Sequence, residues 1–211
     1  DMMKKSNQTA NYLTSLGVQK GDRVLIMLKR HYQFWFVMVA LHKIGAVAVP
    51  GTNQLMTKDI VYRVKAAGVK CVLCTCDEQT ADCVDEAQKE LPELAIKCSV
   101  NGCRDGWHNF DEGIERMSAR FDRPTGENAL HADEPMLMYF TSGTTGYPKI
   151  AVQSHKYSVA HVTTARWWHN VDPNGVHLTI SDTGWGKAVW GKLYGQWLCE
   201  ACIFTCDYDR F

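Results

Sequence analysis

The chain has no excess of charge of either sign: Lys and Arg number 23, and so do Asp and Glu. Without a basic surplus it lacks the electrostatic footprint of a dedicated nucleic-acid binder, and nothing suits it to an anionic membrane surface. Long hydrophobic runs are missing too. The longest, residues 34–41, ends at His42-Lys43, far short of the ~20 apolar residues that cross a bilayer. A soluble chain without a transmembrane segment is expected. The N-terminus lacks the charged, apolar and small-residue order of a signal peptide. It opens on Asp1 rather than Met, which reads as the cut end of a longer protein. Low-complexity tracts and convincing internal repeats are also lacking.

What is present is a globular composition, 211 residues with 45% hydrophobic and 22% charged. A chain of this length buries roughly 70% of its unfolded surface and needs no metal or disulfide staple. Nine cysteines cannot all pair within one molecule, and free thiols in a reducing intracellular compartment account for them. Cys71-Val-Leu-Cys74 and Cys199-Glu-Ala-Cys202 both have the C-x2-C spacing of zinc and redox sites. The first pair falls in an apolar run of strand type, where residues three apart point to opposite faces and cannot chelate one ion together.

Two periodicities alternate along the first hundred residues. Strands are expected at 24–28, 47–49, 71–75 and 95–99. Between them Phe34, Val37, Leu41 and Ile44 share one helical face, Ile60, Val64 and Ala67 share another, and residues 80–91 have the acidic, alanine-rich pattern of an exposed helix. Trp35, Phe36 and Val39 fill the side of the first helix that would otherwise be wet, so that helix is expected between layers. Thr57 is the expected N-cap of the next. Strand starts recur every two dozen residues, which leaves room for a crossover helix and means a parallel, helix-covered sheet. Residues 101–135 turn polar and rich in breakers, with a short helix near 111–119. The alternation then restarts: strand 136–140, a glycine-and-hydroxyl loop, helix 156–169, strand 176–180, helix 190–198 and strand 201–205. The fold class expected is α/β, two Rossmann-like three-layer lobes with mainly parallel sheets, the first over 1–120 and the start of the second over 121–211.

The segment with most chemical content is Tyr139-Phe140-Thr141-Ser142-Gly143-Thr144-Thr145-Gly146-Tyr147-Pro148-Lys149. Gly143 and Gly146 let backbone N–H groups turn toward an anion, while Thr141, Ser142, Thr144 and Thr145 add hydroxyl donors and Lys149 a positive charge. Pro148 restricts Tyr147 to extended geometry, so the loop should pass into another extended segment, 150–152, rather than a helix. That separates it from the P-loop NTPases, whose G-x4-G-K-[ST] opens a helix. Ser, Thr and Gly also dominate ordinary turns, and a plain turn is the bland alternative to an anion-binding loop.

The string YFTSGTTGYPK resembles the signature phosphate loop of the adenylate-forming superfamily, which includes acyl- and aryl-CoA synthetases, peptide-synthetase adenylation domains and firefly-type luciferases. Within it, Ile150-Ala151-Val152-Gln153-Ser154-His155 is similar to the medium-chain acyl-CoA synthetase branch. So are Gly21-Asp22-Arg23-Val24, the stretch from Leu41-His42-Lys43-Ile44-Gly45 through Val49-Pro50, and Ser181-Asp182-Thr183-Gly184-Trp185-Gly186-Lys187 through Trp190. The resemblance covers essentially the whole chain. It implies an acid–thiol ligase acting on a medium-chain fatty or aromatic carboxylic acid. The carboxylate would attack the α-phosphate of Mg-ATP to give an acyl-adenylate and pyrophosphate, and coenzyme A would then displace AMP.

By resemblance, Thr141, Ser142, Gly143, Thr144, Thr145, Gly146 and Lys149 grip the phosphates, Thr141 lies near Mg²⁺, and Trp185, with Gly186, forms the gate of the acyl pocket. No catalytic residue is assigned, because the family's catalytic lysine, its adenine and ribose contacts, the acidic metal ligand, the hinge and the lid lie beyond Phe211. The chain alone is therefore not expected to complete a catalytic cycle. Cytoplasm and mitochondrial matrix both fit, and a homo-oligomer is left open. The rivals are an acetate- or aryl-specific adenylating ligase, a phosphate- or nucleotide-binding module without turnover, and an α/β interaction domain. Ser154 reads as a helix N-cap rather than half of a Ser–His pair. Trp167-Trp168 reads as core or lobe-interface packing.

Overall fold

The computed structural model describes residues 1–142 and 146–206. Near-continuous apolar runs make its strands, because a strand in a parallel sheet is covered on both faces and cannot alternate with polar residues. Five parallel strands are β1 (Arg23–Met27), β2 (Val47–Pro50), β3 (Val69–Thr75), β4 (Ile96–Val100) and β5 (His108–Asn109), and β6 (Pro135–Thr141) extends the set. An antiparallel edge strand, β7 (Lys149–Ser154), completes a seven-stranded sheet of order β5-β4-β3-β1-β2-β6-β7. This sheet runs on across residue 120. A separate parallel pair joins β8 (Val176–His177) to β9 (Cys202–Ile203). The α/β, mainly parallel architecture is the one expected.

Side chains alternate between two cores. Val24, Ile26 and Leu28 face one core with α1 (Met2–Ser15) and α2 (Gln33–Ile44). Leu25 and Met27 face the other with α3 (Thr57–Ala67) and α4 (Glu78–Gln88). Cys71 belongs to the first core and Cys74 to the second, so the two thiols of that C-x2-C lie on opposite faces of β3. As its composition requires, α2 is enclosed: Phe36 stacks on Phe110 of α5 (Phe110–Glu115) at 6.3 Å, and Trp35 meets Trp197 at 6.1 Å. The indole N–H of Trp35 also donates to Thr205 Oγ1 at 3.1 Å.

Several local expectations need correction. No element was expected before residue 24, yet α1 is there. It buries few apolar residues, and its amides instead satisfy the carbonyls of the polar connection: Asn7 Nδ2 donates to Ala119 O at 2.8 Å, and Asn11 Nδ2 to Ser118 O and Arg120 O at 2.9 and 2.8 Å. The N-cap of α3 is Met56, not Thr57, and Asp59 Oδ2 accepts the Met56 N–H at 3.3 Å. Ser154 does sit at the N-cap of α6 (His155–Trp167), but without a side-chain cap bond. The turn before β6 caps that helix, since His155 and Lys156 donate their N–H groups to Glu134 O and Ala132 O at 3.2 and 3.1 Å.

The strands foreseen at 176–180 and 201–205 shrink to the two residues each of β8 and β9. The helix foreseen at 190–198 is a composite of α7 (Gly186–Ala188), a π-helical stretch Val189–Tyr194 and α8 (Gly195–Leu198). Trp167 and Trp168 are not core: they are 80% and 83% exposed, at the end of a helix whose one fully buried residue is Ala165.

Candidate functional site

The sequence of strand connections builds the site. From β2 the chain turns back past β1 to β3, whereas from β6, the neighbour of β2 on its other side, it turns outward into β7. A reversal of this kind opens a crevice outside the carboxyl ends of the strands, where α/β proteins bind ligands. A cavity of about 770 Å³ lies there, walled by Pro50 at the end of β2 and Gly51 and Thr52 after it, by Tyr139, Phe140, Thr141 and Ser142 at the end of β6, and by Gly184, Trp185, Gly186, Lys187 and Trp190. Arg63 of α3, Ala151 and Gln153 of β7 and Tyr157 of α6 complete it.

Thr141 pairs with Lys149 across the β6–β7 ladder, so the expected phosphate loop is the mouth of an antiparallel hairpin. Lys149–Ser154 is a strand, as the Pro148 geometry required. The Thr141 hydroxyl donates to Lys149 O at 3.3 Å, and both Thr141 and Ser142 are exposed and line the cavity. Gly146 has φ +108°, a backbone that side chains other than glycine's rarely adopt. Lys149 is exposed and is not part of the cavity wall. Gly143, Thr144 and Thr145 lie outside the described residues. Trp185, 65% exposed, and Gly186 are on the wall facing the loop.

That wall is fixed by a polar lock. The Thr183 hydroxyl bonds to Leu28 O, and Gly184 N–H donates to Asp182 Oδ1 at 2.8 Å. A Cβ on Gly184 would fall 2.1 Å from both Gly51 C and Thr52 N, so backbone crosses backbone here and only glycine fits. Burial pushes the Asp182 carboxyl above its usual range, opposed by the Gly184 N–H, the charge of Arg30 and a Thr52 hydrogen bond. Lys192, 2% exposed in the π-helical stretch, donates from Nζ to Ser181 O at 3.0 Å. Its pKa is lowered, by burial first and then by Arg30, while Asp182 acts against the shift.

On the opposite side α3 grips the loop. The Tyr62 hydroxyl donates to Pro148 O at 2.8 Å and its ring stacks on Tyr147 at 4.9 Å, while the Arg63 guanidinium lies 5.0 Å over the Phe140 ring. Tyr62, Arg63, Thr52 and Gln153 reach the site without a motif in the sequence to mark them. Each looks like an ordinary helix, loop or strand residue until the sheet brings it to the crevice. Among the described residues no group of three His, Cys, Asp or Glu side chains could hold a metal ion, and no helix is long and apolar enough to cross a membrane. The arrangement is an α/β crevice with hydroxyl groups, backbone and Arg63 on one wall, and indoles and Lys187 on the other.

An α/β protein with its ligand crevice at the carboxyl ends of a parallel sheet is the class that fold and site define. The chain belongs to the AMP-binding enzyme family, whose model matches residues 1–209. Relatives include the mitochondrial acyl-coenzyme A synthetase ACSM4 of Rattus norvegicus, 39% identical over 210 residues, and human mitochondrial ACSM3, 34% identical over 209. Each alignment takes in 98% of this chain and 35% of the relative, so the chain spans about a third of those proteins. Among solved structures, the anthranilate CoA ligase AuaEII in complex with anthranoyl-AMP has the same fold, with a TM-score of 0.86 at 19% identity, over 98% of this chain and 39% of that one. The acyl-CoA synthetase of Brucella canis is similar, with a TM-score of 0.85, 19% identity, and coverage of 98% and 37%.

Proposed function

We propose that the full-length protein carrying this chain is an ATP-dependent acyl-CoA synthetase, which activates a medium-chain fatty or aromatic carboxylic acid as an acyl-adenylate and passes it to coenzyme A. The observation that carries this reading is that Thr141 and Ser142, where the segment rich in glycine and hydroxyl groups begins, line the same cavity as Trp185. One wall suits a polyphosphate and the facing wall an acyl or aryl group.

In this reading Thr141, Ser142, Gly143, Thr144, Thr145, Gly146 and Lys149 surround the β- and γ-phosphates. Their N–H, hydroxyl and ammonium donors stabilise the charge that develops on the leaving pyrophosphate. Lys149, exposed beside the hairpin mouth, would act from the rim. The Thr141 hydroxyl fits Mg²⁺ as a single oxygen ligand, because this ion keeps several waters and takes phosphate oxygens in preference to an all-protein cage. Bound there, the ion would neutralise phosphate charge. Trp185 and Gly186 form the acyl gate: a Cβ on Gly186 would sit 3.3 Å from the Trp190 ring, so the glycine keeps the gap beside that indole open. The mitochondrial relatives favour the mitochondrial matrix over the cytoplasm.

The test is carboxylate-dependent exchange between ATP and pyrophosphate by the full-length protein, with acids from acetate to decanoate and benzoate, followed by thioester formation on adding coenzyme A. Exchange with medium-chain or aromatic acids is expected. A folded protein that binds ATP without exchange for any acid would be a nucleotide-binding module, and the synthetase reading would fall. Exchange confined to acetate would replace it with the acetate-specific ligase.

A further inference from the structure

We propose that Arg63 is a further anion ligand of this crevice, binding the terminal phosphate of ATP and the pyrophosphate that leaves. This rests on the synthetase reading above. Arg63 lines the cavity together with Thr141 and Ser142, the first residues of the loop. Its guanidinium carbon lies over the ring of Phe140, the residue just before them, 5.0 Å from the centroid in a cation–π contact. Only one of its five N–H groups has a partner among the described residues: Nη1 donates to Asp59 O at 3.2 Å, within its own helix. No carboxylate forms an ion pair with it among those residues. Asp59, one turn back, acts on it through its charge without an ion pair, and its carboxylate accepts the N–H of Met56 at 3.3 Å.

A guanidinium held over a ring, with one hydrogen bond among the described residues, keeps N–H donors for a phosphate, which its fork can bind through two oxygens. The preceding residue adds weight. Tyr62 bonds to Pro148 O and stacks on Tyr147 at the exit of the loop, while Arg63 meets Phe140 at its entry. Two consecutive residues of α3 therefore reach both shoulders of the hairpin mouth. Lys149 is outside the cavity wall, and the other cation on the wall, Lys187, follows Trp185 on the facing side. Arg63 is thus the cation on the loop side of the cavity, which selects the polyphosphate over the acid's carboxylate as its partner.

The experiment measures acid-dependent exchange between ATP and pyrophosphate by the full-length protein and its Arg63→Gln and Arg63→Lys variants, with each substrate varied in turn and a urea unfolding curve for each protein. Arg63→Gln should raise KM for pyrophosphate and for ATP tenfold or more, leave KM for the acid within twofold, and keep the unfolding midpoint. Arg63→Lys should recover part of the loss. An unchanged KM for pyrophosphate in a folded Arg63→Gln protein would overturn the proposal, as would a rise in the acid's KM alone. If the wild-type protein shows no exchange, the synthetase reading fails on its own. Arg63 is then judged by calorimetric titration with pyrophosphate, where equal Kd for wild type and Arg63→Gln would overturn it.

Discussion

Replacing Gly184 with alanine places a methyl group where two stretches of backbone cross. The new Cβ would lie 2.1 Å from Gly51 C and Thr52 N and 2.5 Å from Gly51 O. Ordinary carbon contacts need about 3.5 Å, so the two segments must separate by more than about 1 Å. Neither can yield as a flexible side chain would. Overpacking of this kind costs about 1–3 kcal/mol. The shift also strains the Thr183 bond to Leu28 O and the Gly184 N–H bond to Asp182, and losing a hydrogen bond to a charged group adds about 1.5–3 kcal/mol. A total near 3 kcal/mol would lower Tm by roughly 6–12 °C for a unit of this size.

Gly175→Ala is the control. Its Cβ would meet Asp172 at 3.2 Å or more, a contact that a small local movement relieves. Thermal and urea unfolding of both variants read the difference, and Trp185 fluorescence reports whether the wall has moved. A Gly184→Ala protein that melts within 1 °C of wild type, with unchanged exchange kinetics, would refute the crossing as the device that sets this wall.

Two further predictions concern pH and the acid. His42 Nε2 is 2.7 Å from the Tyr194 hydroxyl, with Nδ1 buried and unbonded among the described residues, and its pKa is pushed down to about 3, by burial first and then by His155. Between pH 6.5 and 3 the unfolded chain therefore binds the proton that the folded one refuses. The stability this site contributes is complete above pH 6.5 and is lost as pH falls. From pH 8 to pH 5, about 1.5 units below the unfolded value, the loss is at most about 2 kcal/mol. Urea titrations at both pH values should show a smaller loss in His42→Gln, and equal slopes would remove His42 as the source. Trp185→Ala should change KM among acids of different length by about tenfold, without moving the unfolding midpoint, because the indole is 65% exposed. An unchanged profile across the acid panel would take Trp185 out of acid recognition.

Local pattern made much of this protein legible. The apolar runs at β1 and β3 are buried on both faces, and that at β6 is buried on one face and half-buried on the other, as covered strands require. The all-apolar α2 had to lie between layers, and the Pro148 constraint placed a strand after the loop. The loop itself was visible because its chemistry sits in eleven consecutive residues. Contributions made by geometry left no comparable mark. In α1, amides cap a distant segment more than 100 residues away, and nothing within the helix reveals that partner. Arg63 and Tyr62 look like solvent-facing helix residues until β2 and β6 pair and α3 is drawn against the loop. Gly184 has no positive φ, and although it sits in a turn begun by Asp182, its need for glycine comes from Gly51, 133 positions earlier, crossing within contact distance. Sequence alone determined the elements from β1 to α4, the mainly parallel sheet and the place of the glycine- and hydroxyl-rich segment between two extended ones, because each is marked by neighbours along the chain. Tertiary structure decided which distant groups share the crevice with that loop, because contacts between remote segments depend on strand order and register.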